Sequence, residues 1–272
     1  MKAIFSFFDT TGEPLKSSQH WLNPKFFLYT WVLTVHQASK YFDEVELVTD
    51  SKCKKLFEQL NLPFSNIRTD LDEVLVYPKE LWALGKIKAY QIQDKPFIHI
   101  DNDVILFDRL PDRLLNAPIG FQNIEADEWF DHSYKGQVDN LTYSGENLPK
   151  SWGCSKHAVN CGIYICNDLN YNREYCNQAF ELVDNNLPLI MNTGHAGLYC
   201  VIFEQYMASN VSHYMGIKEE LLSENHRNEE YDKYKYVHIW GEKRNLQWFE
   251  MIETIIKRDY PNYYNLIETL VK

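Results

Sequence analysis

Residues 96–107, "PFIHIDNDVILF", decide how the chain is read. "FIHI" is a short apolar run with the character of a central strand, and Asp101 and Asp103 follow at its carboxyl end, on either side of Asn102. In open parallel sheets ligands sit beyond the carboxyl ends of the strands. Two carboxylates placed there offer hard oxygen ligands with open positions, which suit Mg²⁺ or Mn²⁺ carrying a substrate's phosphates. An Asp-x-Asp tripeptide arises by chance about once in a chain of this size, so position has to decide. The chain holds a second copy, Asp70-Leu71-Asp72, which precedes "EVLVYP" in a polar connection and reads as solvated turn residues.

The flanking segments alternate in type. "KAIFSFF" (2–8) and "EVELVTD" (44–50) read as strands. Between them Leu28, Trp31, Val32 and Val35 repeat at i, i+3, i+4 and i+7, which predicts an amphipathic helix over 25–41. "SKCKKLFEQL" reads as a helix capped by Asp50 or Ser51, and 80–93 as another with Ala83, Ile87 and Tyr90 on one face. Strand, helix, strand, helix predicts an α/β fold with a mainly parallel central sheet flanked by helices. Residues 1–245 form the expected catalytic unit, with 121–157, polar and rich in Trp and Tyr, as an acceptor loop or lid. Residues 246–272 are expected to be a C-terminal helical extension packed on it.

The formal charge, 27 − 38 = −11 over 272 residues, repels phosphate backbones and anionic headgroups and argues against a nucleic-acid partner. An anionic substrate then needs a local cation or a few placed Lys and Arg. The first apolar run is shorter than a secretory h-region, and "FFLYTWVLTV" falls short of a membrane span. A soluble, cytoplasmic protein is expected. The six cysteines (53, 154, 161, 166, 176 and 200) form no CxxC pair and are expected to be buried free thiols.

These motifs resemble the nucleotide-sugar-dependent glycosyltransferases of the GT-A fold, whose hallmark is an Asp-x-Asp at such a strand end. "GKIKAYQIQDKPFIHIDND" (85–103) and "AVNCGIYICND" (158–168) are similar to the retaining branch that includes glycogenin and the lipopolysaccharide galactosyltransferases. "VIFEQYM" (201–207) resembles that branch's DQD helix start, with Glu204 and Gln205 in place of its Asp and Gln. "VHIWGEKRN" (237–245) resembles its HxxGxxK segment; Arg244 has the spacing of the family's lysine, Lys243 is one residue early, and the usual Pro-Trp is absent. The resemblance implies Mn²⁺ or Mg²⁺ on Asp101, Asp103 and His238. It implies donor binding by Lys86, Asp101, Asn102, Asn160, Gly162 and Gly241, with Lys243 or Arg244 on the diphosphate, and catalysis by Glu204 and Gln205.

That chemistry has a physical basis. Departure of a nucleoside diphosphate leaves charge that a preorganised cation stabilises, and a carboxylate or amide on the sugar's other face offsets its oxocarbenium character. The implied partners are a nucleotide-sugar donor, foremost a UDP-sugar, and a saccharide, glycolipid or protein acceptor. A haloacid-dehalogenase-type phosphatase would use Asp101 as nucleophile, but that family usually has Gly-Thr where this chain has "VIL". A sugar nucleotidyltransferase would want a Gly-rich loop after the first strand, where "FDTTGEPLK" has a single glycine. A silent nucleotide-sugar binder is the non-enzymatic alternative.

Overall fold

In the computed structural model, which describes residues 1–9, 13–15, 20–224 and 231–272, strand β1 (Lys2–Phe7) and strand β2 (Val45–Thr49) run parallel, from Ala3 opposite Val45 to Phe7 opposite Thr49. Helix α1 (Pro24–Ala38) forms the crossover between them, and Asn23 caps it by accepting from Phe26 N at 2.8 Å. Helix α2 (Ser51–Leu60) follows β2; Asp50 rather than Ser51 caps it, accepting from Lys52 N and Cys53 N. Strand β3 (Asn66–Arg68), helix α3 (Leu84–Gln91) and strand β4 (Phe97–Ile100) complete the parallel half of the sheet. The segment after β1 with its single glycine, "FDTTGEPLK", lies partly outside the described residues.

The second half is mixed. After β5 (Val104–Leu106) and α4 (Asp112–Leu115) come β6 (Ile119–Phe121), β7 (Ile124–Glu125), α5 (Asp127–Ser133), α6 (Lys135–Ser144), β8 (Ala158–Val159) and β9 (Ile163–Cys166). Helix α7 (Leu169–Asn192), helix α8 (Met207–Met215), β10 (Glu220–Leu221), α9 (Tyr231–Tyr234), β11 (Tyr236–His238), α10 (Leu246–Asp259) and α11 (Pro261–Leu270) finish the chain. The seven-stranded sheet has the order β10-β6-β9-β4-β1-β2-β3. It is mostly parallel, with β9 antiparallel to both neighbours, β4 and β6. Two small antiparallel ladders, β5 with β11 and β7 with β8, stand outside it.

Several local expectations are corrected. Helix α1 is not amphipathic: twelve of its fifteen residues are buried, because the sheet lies under one face and α10 and α11 cover the other. Tyr29 stacks between Phe249 and Tyr264, at 6.3 and 6.0 Å between ring centroids. The helix expected over 80–93 begins as a separate 3₁₀ turn at Lys79–Leu81. The Asp70-Leu71-Asp72 copy lies in a 3₁₀ turn and is tied into the structure: Asp70 pairs with Arg68 at 2.8 Å, and Asp72 accepts from Ser51 N at 2.8 Å. The 121–157 segment carries β7, α5 and α6 instead of a plain loop. Five cysteines are buried free thiols, but Cys154 is exposed.

Trp31 anchors the layer between α1 and the sheet. It is fully buried against Phe5, Phe7, Phe57 and Phe64, with centroids 4.7 to 6.4 Å away, and its indole Nε1 finds no partner among the described residues. Its contribution is therefore packing. Trp31→Ala is expected to cost about 3–5 kcal/mol in urea unfolding, the scale of a large core cavity; a loss below about 1 kcal/mol would show that the layer repacks.

Candidate active site

The site is built on the turn that ends β4. Asp101 N donates to Gly162 O at 2.9 Å, and Val104 N closes the turn on Asp101 O at 3.0 Å. From α1, Thr34 Oγ1 donates to Asn102 O at 3.0 Å and pins the turn from below. The chain then enters β5, which pairs with β11 so that Val104 lies opposite His238, and Ile239 N donates to Asp103 O at 2.9 Å. A short antiparallel ladder thus delivers a histidine from 135 residues further along to the second aspartate, its Nε2 3.5 Å from Asp103 Oδ1.

Two features orient that imidazole. Its Nδ1 lies 2.9 Å from Gln122 Oε1, a carbonyl oxygen that can only accept, so Nδ1 donates there and Nε2 is the nitrogen that faces Asp103. Gly162 supplies the room: a Cβ there would sit 2.6 Å from His238 Cε1 and 2.7 Å from Gln122 Oε1. Beyond β11, Gly241 takes φ +72°, which turns the chain so that Lys243 Nζ reaches Asp103 Oδ2 at 2.8 Å. Arg244 is exposed. Lys243, one residue early for the family spacing, is therefore the base beside the aspartate. Asp103 is only 2% exposed; burial pushes its carboxyl up, but Lys243 and His238 outweigh it and hold the group well below the usual carboxylate range.

The other half centres on Lys86. Its ammonium, carried on α3, lies 2.9 Å from Asp101 Oδ1 and in direct contact with Glu204. Burial opposes its charge, yet the two carboxylates outweigh burial and raise its pKa well above the ordinary lysine value. Burial raises Glu204, with Lys86 pulling the other way and Asp101 adding to the rise. Glu204 and Gln205 lie in a π-helical turn, Ile202–Tyr206, a feature common at functional sites because it re-aims side chains. Tyr175 holds that turn through its hydroxyl, 2.6 Å from Glu204 O.

Asn160 and Gln205 meet through residues that sequence reasoning did not single out. Asn160 Oδ1 accepts from Gly162 N at 2.9 Å and its Nδ2 donates to Glu125 Oε1 at 2.7 Å. The Tyr134 hydroxyl contacts Glu125 and lies 2.6 Å from Gln205 Oε1. Gln122, Glu125 and Tyr134 all belong to the 121–157 stretch read as an acceptor loop or lid, and only their buried partners mark them. Asn102 is fixed through its backbone, while its Nδ2 is buried without a partner among the described residues.

Asp101, Asp103 and His238 bring ligand atoms within 4.8 Å of one another. Two carboxylates and an imidazole with a preset tautomer fit a divalent cation. A family model described as a family of unknown function, DUF6734, matches residues 1–270. The chain belongs to the DUF6734 family. No curated protein matches its sequence. Among solved structures, the galactosyltransferase LgtC in complex with donor and acceptor sugar analogues is similar over 92% of this chain and 96% of that one, at 13% identity and a TM-score of 0.48. An active-site mutant of LgtC is similar over 79% and 70%, at 13% identity and 0.42. The apo form of mouse xyloside xylosyltransferase 1 is similar over 81% and 84%, at 11% identity and 0.39.

In this DUF6734 protein Lys86 pairs with two carboxylates at once, so its removal should be costly. Lys86→Met is expected to destabilise the fold by about 3–5 kcal/mol, the cost of stranding a buried charge. Adding Glu204→Gln should restore part of it. A single variant as stable as the parent in urea unfolding would contradict the buried ion-pair description.

Proposed function

We propose that the protein is a metal-dependent glycosyltransferase that moves a sugar from a nucleoside-diphosphate donor, a UDP-sugar, to a saccharide, glycolipid or protein acceptor, with retention of anomeric configuration and in the cytoplasm. The observation that carries this reading is the convergence of Asp101, Asp103 and His238 at the carboxyl end of a central strand, with the Lys243 ammonium on the same carboxylate. Asp101, Asp103 and His238 would hold Mn²⁺ or Mg²⁺. Such an ion, once bound, supplies charge stabilisation to the departing diphosphate.

The chain's own residues do the rest. Lys243, whose ammonium lies 2.8 Å from Asp103 Oδ2, would turn to the diphosphate oxygens if Asp103 were to hold a cation. Asn102 offers the donor its buried amide Nδ2, which has no partner among the described residues. Asn160 and Gln205, cross-linked through Glu125 and Tyr134, present a polar wall to the sugar. Lys86 fixes Asp101 and Glu204 together, so the donor side and the sugar side of the site move as one.

Retention is supported by what the carboxylates already do. An inverting enzyme needs a general base able to deprotonate the acceptor. Glu204 is 2% exposed and paired with Lys86, and Glu125 is held by Asn160 and Tyr134. The acceptor side is the α5–α6 segment, where Trp129 meets Trp240 at 5.1 Å between ring centroids and Trp240 is 44% exposed. No described helix is long and apolar enough to cross a membrane.

Mn²⁺ together with UDP is expected to raise the melting temperature more than either alone, because a ligand confined to the folded state stabilises it. No shift over a millimolar titration of both would count against the reading. Asp103→Asn should lower turnover of the UDP-sugar at least about a hundredfold, the scale of losing a key electrostatic element. Asp72→Asn, whose carboxylate only accepts from Ser51, should leave turnover near the parent's. Equal losses in both would remove the distinction between the two Asp-x-Asp copies.

A further inference from the structure

A second cluster of ligating side chains lies on residues that the proposed reaction does not use. His157, just before β8, His213, near the end of α8, and Glu219, just before β10, bring ligand atoms within 4.8 Å of one another. His157 Nε2 is 2.8 Å from Glu219 Oε2, and the His213 ring stands 5.1 Å from the His157 ring at a steep 73°. We propose that His157, His213 and Glu219 form a zinc site that braces the edge of the sheet.

The surrounding bonds preset two of the three ligands. Glu219 Oε1 accepts from the Ser209 and Ser212 hydroxyls, each at 2.6 Å, which leaves Oε2 as the oxygen facing His157. His213 Nδ1 donates to Ser209 O at 2.9 Å, so the ring's lone pair resides on Nε2. Outer bonds of this kind fix the tautomer and direction of metal-binding imidazoles. One histidine would suffice to pair with the carboxylate. The second adds little to an ion pair but completes a set of two imidazoles and one carboxylate, which zinc takes with a water in the fourth position. The Glu219 side chain is 7% exposed and that of His213 42%, so the cluster has a fixed inner ligand and an outer face open to that water. The nitrogen-rich set separates it from the harder Asp101, Asp103 and His238 set.

The location gives the site a use. Just beyond Glu219, Leu222 N and Ser223 N donate to Phe121 O and Gln122 O, both at 2.9 Å, and Gln122 orients His238. His157 leads directly into β8 and Asn160. An ion joining the two would tie together the backbone segments that carry Gln122 and Asn160.

Zinc titration of the metal-stripped full-length chain against a chromophoric chelator tests this, in an Asp103→Asn background that silences the first site. One equivalent of zinc should bind there, and His157→Ala and Glu219→Gln should each weaken it at least about tenfold, the scale for losing part of a metal site. Co²⁺ in the same background should give the visible absorption of a tetrahedral ion, which His213→Ala abolishes. His213 is exposed and its removal leaves the His157–Glu219 contact in place, so circular dichroism should report the parent fold for that variant. The proposal is overturned if the Asp103→Asn chain takes up no zinc, or if the three replacements leave its affinity unchanged. Because the first site is already disabled, neither result bears on the glycosyltransferase reading.

Discussion

Asp103 is an ionised carboxylate almost wholly withdrawn from water, and a charge so placed must be matched by partners held in position. Much of the structure serves that requirement. Asp103's carboxylate needs the β5–β11 ladder to bring His238, the Gly241 turn to bring Lys243, and an absent side chain at Gly162 to leave the imidazole room. Gln122 then sets which nitrogen faces the aspartate. A cation of the kind proposed for this site would have to compete with Lys243, 2.8 Å from Asp103 Oδ2.

A second buried charge works in parallel. Lys86 couples Asp101 to Glu204, and so links the end of β4 to the π-helical turn that carries Gln205. The two halves share the Asp101-Asn102-Asp103 turn, which α1 supports from below through Thr34. Because α1 is packed on both sides, by the sheet and by α10 and α11, that support is firm: a displacement of the turn would have to move a helix with twelve of its fifteen residues buried.

The strand ending in Asp101, the crossover order of β1, α1, β2 and α2, and the candidate residues of the four motifs were legible because each has a local signature: period, cap or spacing. What stayed hidden depends on partners remote in sequence. β9 is as apolar as a parallel strand, and nothing in "IYIC" shows that it runs antiparallel between β4 and β6. The hydrophobic stripe of α1 was visible, but its polar positions Thr30 and Thr34 are buried too, Thr30 satisfied by the helix's own Phe27 carbonyl and Thr34 by the Asn102 carbonyl that only the tertiary fold supplies. Gln122, Glu125 and Tyr134 look like surface residues in sequence; their roles come from His238, Asn160 and Gln205 reaching them. Lys243 and Arg244 could not be ranked by spacing, because the φ of Gly241 decides which of them turns inward.

The central claim, that Asp101, Asp103 and His238 hold a cation that also meets a nucleoside diphosphate, is tested most directly by pulsed electron paramagnetic resonance of Mn²⁺ bound to the protein with UDP. The account predicts phosphorus coupling from the diphosphate together with UDP-dependent nitrogen coupling from one imidazole, the latter lost in His238→Ala. A spectrum without phosphorus coupling, or a UDP-dependent nitrogen coupling that survives His238→Ala, would contradict it.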